Sequence, residues 1–181
     1  MMQRKPIPVL LLFGGIATVG MILVTFVTYK AGPQTFLSLE VDLMYLIPMI
    51  CAVIAANIER KRQGGFLEFR NALRIIFGIL VMATALQGLF TWLLMNVFDT
   101  HFAQAVRPVW LAKSKAALQS IGMTGDQLDK NVAALKDSDP FSLGAVLFGL
   151  AKFYILGFPV SVLLAAIIKR KKPAQQPTTT L

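Results

Sequence analysis

The chain has few of the residues from which catalytic and metal sites are usually built. It contains one cysteine, Cys51, and one histidine, His101. An intrachain disulfide needs two cysteines, and a metal site made of cysteines or histidines needs several ligands, so the sequence excludes both. It also has no P-loop, no dinucleotide-binding fingerprint and no Gly-x-Ser-x-Gly motif. We therefore expect a protein that is not an enzyme and that holds no cofactor.

Charged residues are also scarce, and positive charge outweighs negative. Only 15% of the residues are charged and 56% are hydrophobic, whereas soluble domains have about 25% and about 45–50%. This composition indicates a membrane protein. The formal net charge of +9 does not point to nucleic acid, because the cations cluster at the ends of apolar segments, as the positive-inside rule describes. We expect membrane lipid as a partner and no nucleic acid.

Four apolar segments are each long enough to cross a membrane, which takes about 20 helical residues. They cover residues 7–29, 39–57, 72–98 and 141–168. Asp139 and Pro140 are typical of the start of the fourth helix. With the loop at 99–139, the spans form a single transmembrane domain over residues 1–172. The polar tail at 173–181 is predicted to be disordered and cytoplasmic.

The positions of lysine and arginine predict how the spans are threaded. Most cations fall at the N-terminus, between spans two and three, and after span four, which predicts that both termini are cytoplasmic in a bacterial inner membrane. Cations on this side would attract anionic lipid headgroups. The predicted headgroup contacts are Arg60, Lys61, Arg62, Lys169, Arg170, Lys171 and Lys172.

The loop at 99–139 carries the pattern of two short amphipathic helices. Pro108 is suited to open the first, which would end near Gly122, and Thr124 begins a capping-box pattern for the second. We predict an extracytoplasmic amphipathic helical cap on an all-α, integral membrane four-helix bundle. Its apolar residues either pack onto the helix ends or form a partner surface. These residues are Trp110, Ile121, Leu128, Val132 and Leu135.

Lys152 is the most unusual residue of the spans, because it lies alone within the fourth apolar run. A charge at the centre of a membrane helix costs about 2.5–3.5 kcal/mol on insertion scales. The candidate acids are Glu40 and Asp42 at the outer end of span two and Asp99 at the outer end of span three, and Asp42 is favoured because it lies deeper. Lys152 then forms a structural ion pair, reaches the interface by snorkelling, or belongs to an ion or anion site.

Gln87, near the middle of span three, completes the candidate intramembrane polar site. An amide in this position usually makes a hydrogen bond between helices, and such bonds are worth about 0.6 kcal/mol on average. The candidate site therefore comprises Lys152, Asp42, Glu40 and Gln87.

A short motif at the start of span three resembles that of a known family. It reads Gly64-Gly-Phe-Leu-Glu-Phe-Arg-Asn-Ala-Leu-Arg74. The motif and the layout of the spans are similar to the uncharacterised bacterial family called domain of unknown function 4199. The resemblance implies a four-span inner-membrane protein with an amphipathic stretch between spans three and four. It implies no known activity or catalytic residue.

These observations favour a non-enzymatic accessory or scaffolding membrane subunit, within a homo-oligomer or a larger membrane complex. The alternative is a small oligomeric transporter or channel-like protein that uses Lys152 and an outer carboxylate. A transporter needs a polar cavity that joins Lys152, Gln87 and an acid, whereas a subunit needs a surface that a partner covers.

Overall fold

Helices make up nearly all of the described chain, in line with its long apolar runs. The structure is a computed structural model that describes residues 7–170, and the side chains of residues 7 and 39–45 lie outside that description. The elements are α1 (Ile7–Ala31), α2 (Pro33–Arg62), α3 (Phe69–Leu93), a π-helical segment (Leu94–Phe98), α4 (Thr100–Ser120), α5 (Gly125–Asp137) and α6 (Leu143–Ile168).

Three of these helices are long and apolar enough to cross a membrane. They are Pro8–Ala31 in α1, Phe69–Phe98 in α3 with the π-helical segment, and Leu143–Ile168 in α6. The predicted second span, 39–57, lies within α2, which is not among the three helices found in the described residues. The apolar helices thus indicate a membrane protein, as the composition predicts.

The connection between α1 and α2 is shorter than the apolar pattern suggests. Only Gly32 separates the two helices, with φ at 99°, a conformation that glycine adopts readily because it has no Cβ. Pro33 follows at the first helical position, where its missing N–H costs nothing. The helix therefore begins several residues before the predicted span because local turn chemistry, and not hydropathy, decides where it starts.

The helices run alternately in opposite directions. A Cβ at Gly14 would meet Met82 and one at Gly78 would meet Leu10, so α1 and α3 lie side by side and run the same way. A Cβ at Gly157 would meet Leu80 on α3, whereas one at Gly88 would meet Leu150 on α6. α3 and α6 are therefore antiparallel.

Helices α1, α2 and α3 pack on one another, and α6 packs mainly on α3. The main core lies between them and contains small residues of α2 opposite larger residues of α3. Small side chains let membrane helices approach closely. Its buried members include Ala52, Ala55, Ala56, Ile75, Ile76 and Ile79. Because α6 has one principal neighbour, much of its surface faces outward.

The helix predicted to begin at Pro108 begins instead at Thr100. The carboxylate of Asp99 accepts a hydrogen bond from the backbone N–H of Phe102 at 2.9 Å, which caps the first turn of α4. Pro108 lies inside α4. Among the described helices, α5 packs on α4 alone.

A second apolar cluster joins α4 to the ends of α1 and α2. Phe36, Met95 and Val106 are buried there, and Tyr29 and Phe102 pack against them. The Phe102 ring stands edge-on to Tyr29 at 4.6 Å and to Phe36 at 5.5 Å between centroids. These edge-to-face contacts hold the start of α4 against the bundle.

Candidate functional site

Lys152 lies on the face of α6 that points away from the bundle. The buried stripe of this helix recurs every three or four residues and faces α3. It consists of Phe153, Gly157, Ser161, Ala165 and Ile168. Each residue turns the helix by about 100°, so Lys152 is displaced well away from the stripe on which Phe153 and Gly157 lie. The side chain of Lys152 is accordingly exposed.

The neighbours of Lys152 on this face are large and apolar. Its ammonium nitrogen lies 4.3 Å from the centroid of the Phe148 ring, one turn earlier in α6. Ile155 and Leu156, one turn later, are 71% and 65% exposed. A cation over an aromatic face is stabilised by the ring quadrupole, more so when water is excluded. We call these four residues, Phe148, Lys152, Ile155 and Leu156, the Lys152 face.

The structure does not bring Gln87 to Lys152. Gln87 is buried and its amide donates to the hydroxyl oxygens of Thr25 at 3.3 Å and Thr91 at 3.0 Å. Its amide thus links α3 to α1, as expected of a polar residue between helices, whereas Lys152 faces the opposite side of α6. The side chains of Glu40 and Asp42 lie outside the described residues. Hence the structure does not bring Lys152 and Gln87 together, and the transporter alternative, which also needs an acid, stays a prediction.

A further polar link joins α3 to α6. The hydroxyl groups of Thr84 and Tyr154 lie 3.2 Å apart, and Tyr154 also donates to the carbonyl oxygen of Val81 at 3.3 Å. Thr84 is buried and donates to the carbonyl oxygen of Leu80 at 2.7 Å. These bonds fix the register of the two helices, since each polar group would otherwise stand in an apolar environment.

Asp99 does not reach Lys152, although its place after span three made it a candidate partner. The phenol of Tyr29 donates to the Asp99 carboxylate at 2.6 Å, and the Phe102 N–H donates to the other oxygen. These two hydrogen bonds lower the pKa of Asp99, and the nearby His101 lowers it further. The pair ties the end of α1 to the start of α4. An Asp directly after an apolar run and before a helical pattern was the sequence signal for this role.

The residues of the predicted partner surface on α4 and α5 differ in their exposure and do not form one continuous patch. Leu128 is only 7% exposed and therefore packs inward, which is one of the two alternatives for these residues. Ile121 is 70% exposed at the end of α4. Trp110 and Leu135 line an open groove of about 280 Å³ between the two helices, together with Gln104, Arg107, Pro108, Leu111 and Lys136. Val132 is half-buried and is not among the lining residues.

The predicted headgroup contacts gather at the end of the molecule where α2 and α6 end and α3 begins. Arg60, Lys61 and Arg62 form the last turn of α2. Lys169 and Arg170 follow α6 and are exposed, whereas Lys171 and Lys172 lie outside the described residues. We call this end of the molecule the basic end.

One acid at the basic end escaped sequence analysis. Glu59 is only 3% exposed, and its carboxylate accepts a hydrogen bond from the amide of Gln63 at 2.8 Å. In the sequence it stands directly before three cations, Arg60, Lys61 and Arg62. Its spacing of three and four residues from Ala56 and Ala55, both buried, was the signal that it faces inward.

Comparison with known proteins identifies a family and no activity. The model of one family, described as protein of unknown function (DUF4199), matches residues 12–170. No curated protein and no solved structure matches the chain. Within residues 7–170, no group of three or more His, Cys, Asp or Glu side chains is placed to hold a metal ion.

Proposed function

The chain belongs to the DUF4199 family, and we propose that it is a non-enzymatic accessory subunit of a complex in a bacterial inner membrane. In this proposal α2 also crosses the membrane, as the second of four spans, both termini are cytoplasmic, and α4 with α5 forms an extracytoplasmic cap. The charge distribution supports this threading, because the basic end collects cations from three segments. The partner is a membrane helix of another protein that covers the Lys152 face.

The exposure of Lys152 is the observation that carries the proposal. Nine residues separate it from the start of α6 at Leu143 and sixteen from its end at Ile168, or roughly 14 Å and roughly 24 Å along the helix. A lysine at this depth that faces lipid costs several kcal/mol unless it reaches the interface or finds an acid. The Phe148 ring offsets only part of that cost, at about 2 kcal/mol for a desolvated cation–π contact. A carboxylate on a partner helix would remove the remainder.

Two acids next to the spans, Asp99 and Glu59, are already engaged within the chain. Asp99 accepts hydrogen bonds from Tyr29 and from the Phe102 backbone, and Glu59 is buried and bonded by Gln63. Neither of these two carboxylates is therefore free to pair with Lys152 of a second copy. This favours a different protein as the partner. It would carry one Asp or Glu within a membrane span, flanked by small or apolar residues that fit between Phe148 and Leu156.

Site-specific photocrosslinking in intact cells tests the proposal. A photoreactive amino acid replaces Leu156 on the Lys152 face or, as the matched control, Leu23 on α1, which is 60% exposed. We expect one protein of defined mass to crosslink at position 156 and not at position 23. The adduct should be lost in Lys152→Leu and kept in Lys152→Arg, since arginine retains the charge.

The partner supplies a second test. Once its acid is known, replacing that acid with leucine should restore the adduct in the Lys152→Leu protein, because neither charge is then left unpaired in the membrane. Crosslinks only to a second copy of this chain would replace the accessory role with a homo-oligomer. An unchanged adduct in Lys152→Leu would show that the charge does not recognise the partner.

A further inference from the structure

At the basic end, a short backbone bridge holds the end of α6 against the loop before α3. The N–H of Leu67 donates to the carbonyl oxygen of Arg170 at 3.1 Å, and the N–H of Arg170 donates to the carbonyl oxygen of Leu67 at 2.9 Å. Leu67 is 1% exposed, so its side chain anchors the bridge in the core. Gly64 and Gly65, with φ at 75° and 90°, turn the chain from α2 into this position.

The bridge places cations from two helices next to each other. Lys169 lies with its ammonium nitrogen 5.8 Å from the centroid of the Phe69 ring, at the first residue of α3. Arg70 is the next residue and is exposed, and Arg74 follows one turn later, also exposed. Together with the exposed Arg170, these residues form a group that we call the clamp: Arg70, Arg74, Lys169 and Arg170.

The clamp stands at the mouth of the groove between α3 and α6. Arg70 lies seven residues, or about two turns, before Phe77 and so shares its face of α3. The Phe77 ring contacts those of Tyr154 and Phe158 on α6, at 6.3 Å and 5.3 Å between centroids. Phe158 is 46% exposed. A cationic rim therefore leads directly to an aromatic, partly open surface between two membrane-spanning helices.

The acidic residues around the clamp are too few to neutralise its positive charge. The segments at 59–74 and 169–170 hold seven Lys and Arg and two acids. One of the acids, Glu59, is buried and bonded to Gln63. The excess of positive charge lies at the level of the helix ends, where lipid phosphates are found.

We propose that the clamp binds the headgroup phosphate of an anionic phospholipid whose acyl chains follow the groove between α3 and α6. A free phosphate would use only the cations, whereas a lipid would also cover Phe158 and the apolar residues beside it, which favours the lipid. This binding is distinct from the diffuse attraction that any basic membrane-facing surface exerts, because it depends on four cations that one backbone bridge brings together. It does not depend on the accessory role proposed above.

Lipid titration of the delipidated, full-length protein by native mass spectrometry tests this inference. The probe is dioleoyl phosphatidylglycerol, with dioleoyl phosphatidylcholine as the uncharged comparison. The double variant Lys169→Gln/Arg170→Gln removes half of the clamp. The matched control, Lys61→Gln/Arg62→Gln, removes the same charge from exposed residues of α2 at the same end.

We expect the first bound phosphatidylglycerol to be weakened about fivefold per clamp cation, or about 25-fold in the clamp variant. The control variant should lose less than about threefold, and phosphatidylcholine binding should not differ between the proteins. Equal losses in both double variants would overturn the site and leave only diffuse attraction. If millimolar inorganic phosphate in solution displaced the bound phosphatidylglycerol, the clamp would be assigned to a soluble anion instead. Far-UV circular dichroism confirms that each variant is folded.

Discussion

A methyl group added at Gly157 should weaken the packing of α6 on α3. Gly157 is buried, and a Cβ at this position would lie 2.7 Å from Cδ2 of Leu80. Carbon atoms in contact rest at about 3.5–4.0 Å, so either the leucine or the helix must move. Leu80 is only 3% exposed and has little room to rotate away. The alanine variant therefore overpacks the contact by roughly 1 Å.

The cost is set by two opposing effects. Overpacking a well-packed contact costs about 1–3 kcal/mol, while exchanging glycine for alanine inside a helix contributes up to about 1 kcal/mol of stability. Gly149 isolates the second effect, because it lies in the same helix and a Cβ there would meet nothing within 4 Å. We expect Gly157→Ala to be about 1–3 kcal/mol less stable than Gly149→Ala.

Reversible unfolding in mixed micelles, followed by circular dichroism as sodium dodecyl sulfate is added, measures this difference. Leu80→Ala serves as the second arm of a double-mutant cycle, since removing the leucine removes the atom that the new methyl group meets. In that background the difference between the two glycine variants should vanish. The reasoning would be refuted if both glycine variants changed stability equally, or if the penalty at Gly157 survived the loss of Leu80.

Two further predictions concern the end of the molecule that lies opposite the basic end. Phe36→Ala should cost about 3–5 kcal/mol of stability in the same unfolding assay, because Phe36 is 1% exposed. The control Ile121→Ala, at a residue that is 70% exposed, should change stability by no more than about 0.5 kcal/mol. Similar losses in the two variants would contradict the assignment of this core. Asp99 has a lowered pKa, so it stabilises the fold above the ordinary pKa of about 3.9 and loses that contribution as the pH falls through the lowered value. Asp99→Asn should flatten this acid limb in thermal unfolding across about pH 2–6, and an unchanged limb would rule out the Tyr29 bond as its source.

The three helices that are long and apolar enough to cross a membrane were predictable, because hydropathy alone identifies them. The runs at 7–29, 72–98 and 141–168 correspond to the three long apolar helices of the structure. The positions of helix ends were harder to predict from the sequence, since they depend on single turns and caps. Pro33 starts α2 directly after Gly32, and the Asp99 carboxylate starts α4 well before Pro108. Such local hydrogen bonding and backbone geometry leave little mark on average hydropathy.

The sequence identified one residue of the candidate site but not the direction in which its side chain points. Lys152 stood out in the sequence because a charge in an apolar run is rare. Its direction could not be predicted, because α6 is apolar all round and its periodicity does not distinguish a packed face from an open one. The clamp was visible only as scattered cations. The backbone bridge that unites Arg170 with Leu67 joins distant parts of the chain, which a single sequence does not reveal.

The packing of α6 on α3 has a consequence for synthesis of the chain. Helices α1, α2 and α3 share a core that does not need α6 to form most of its contacts. About 50 residues separate the end of α3 from the start of α6, and at about 5–20 residues per second the ribosome needs roughly 3–10 s to produce them. Until α6 has also been made, the α3 surface around Leu80, Thr84 and Gly88 lacks the helix that covers it in the finished structure. The nascent three-helix intermediate therefore presents a vacant, partly polar groove before its own last helix arrives to fill it.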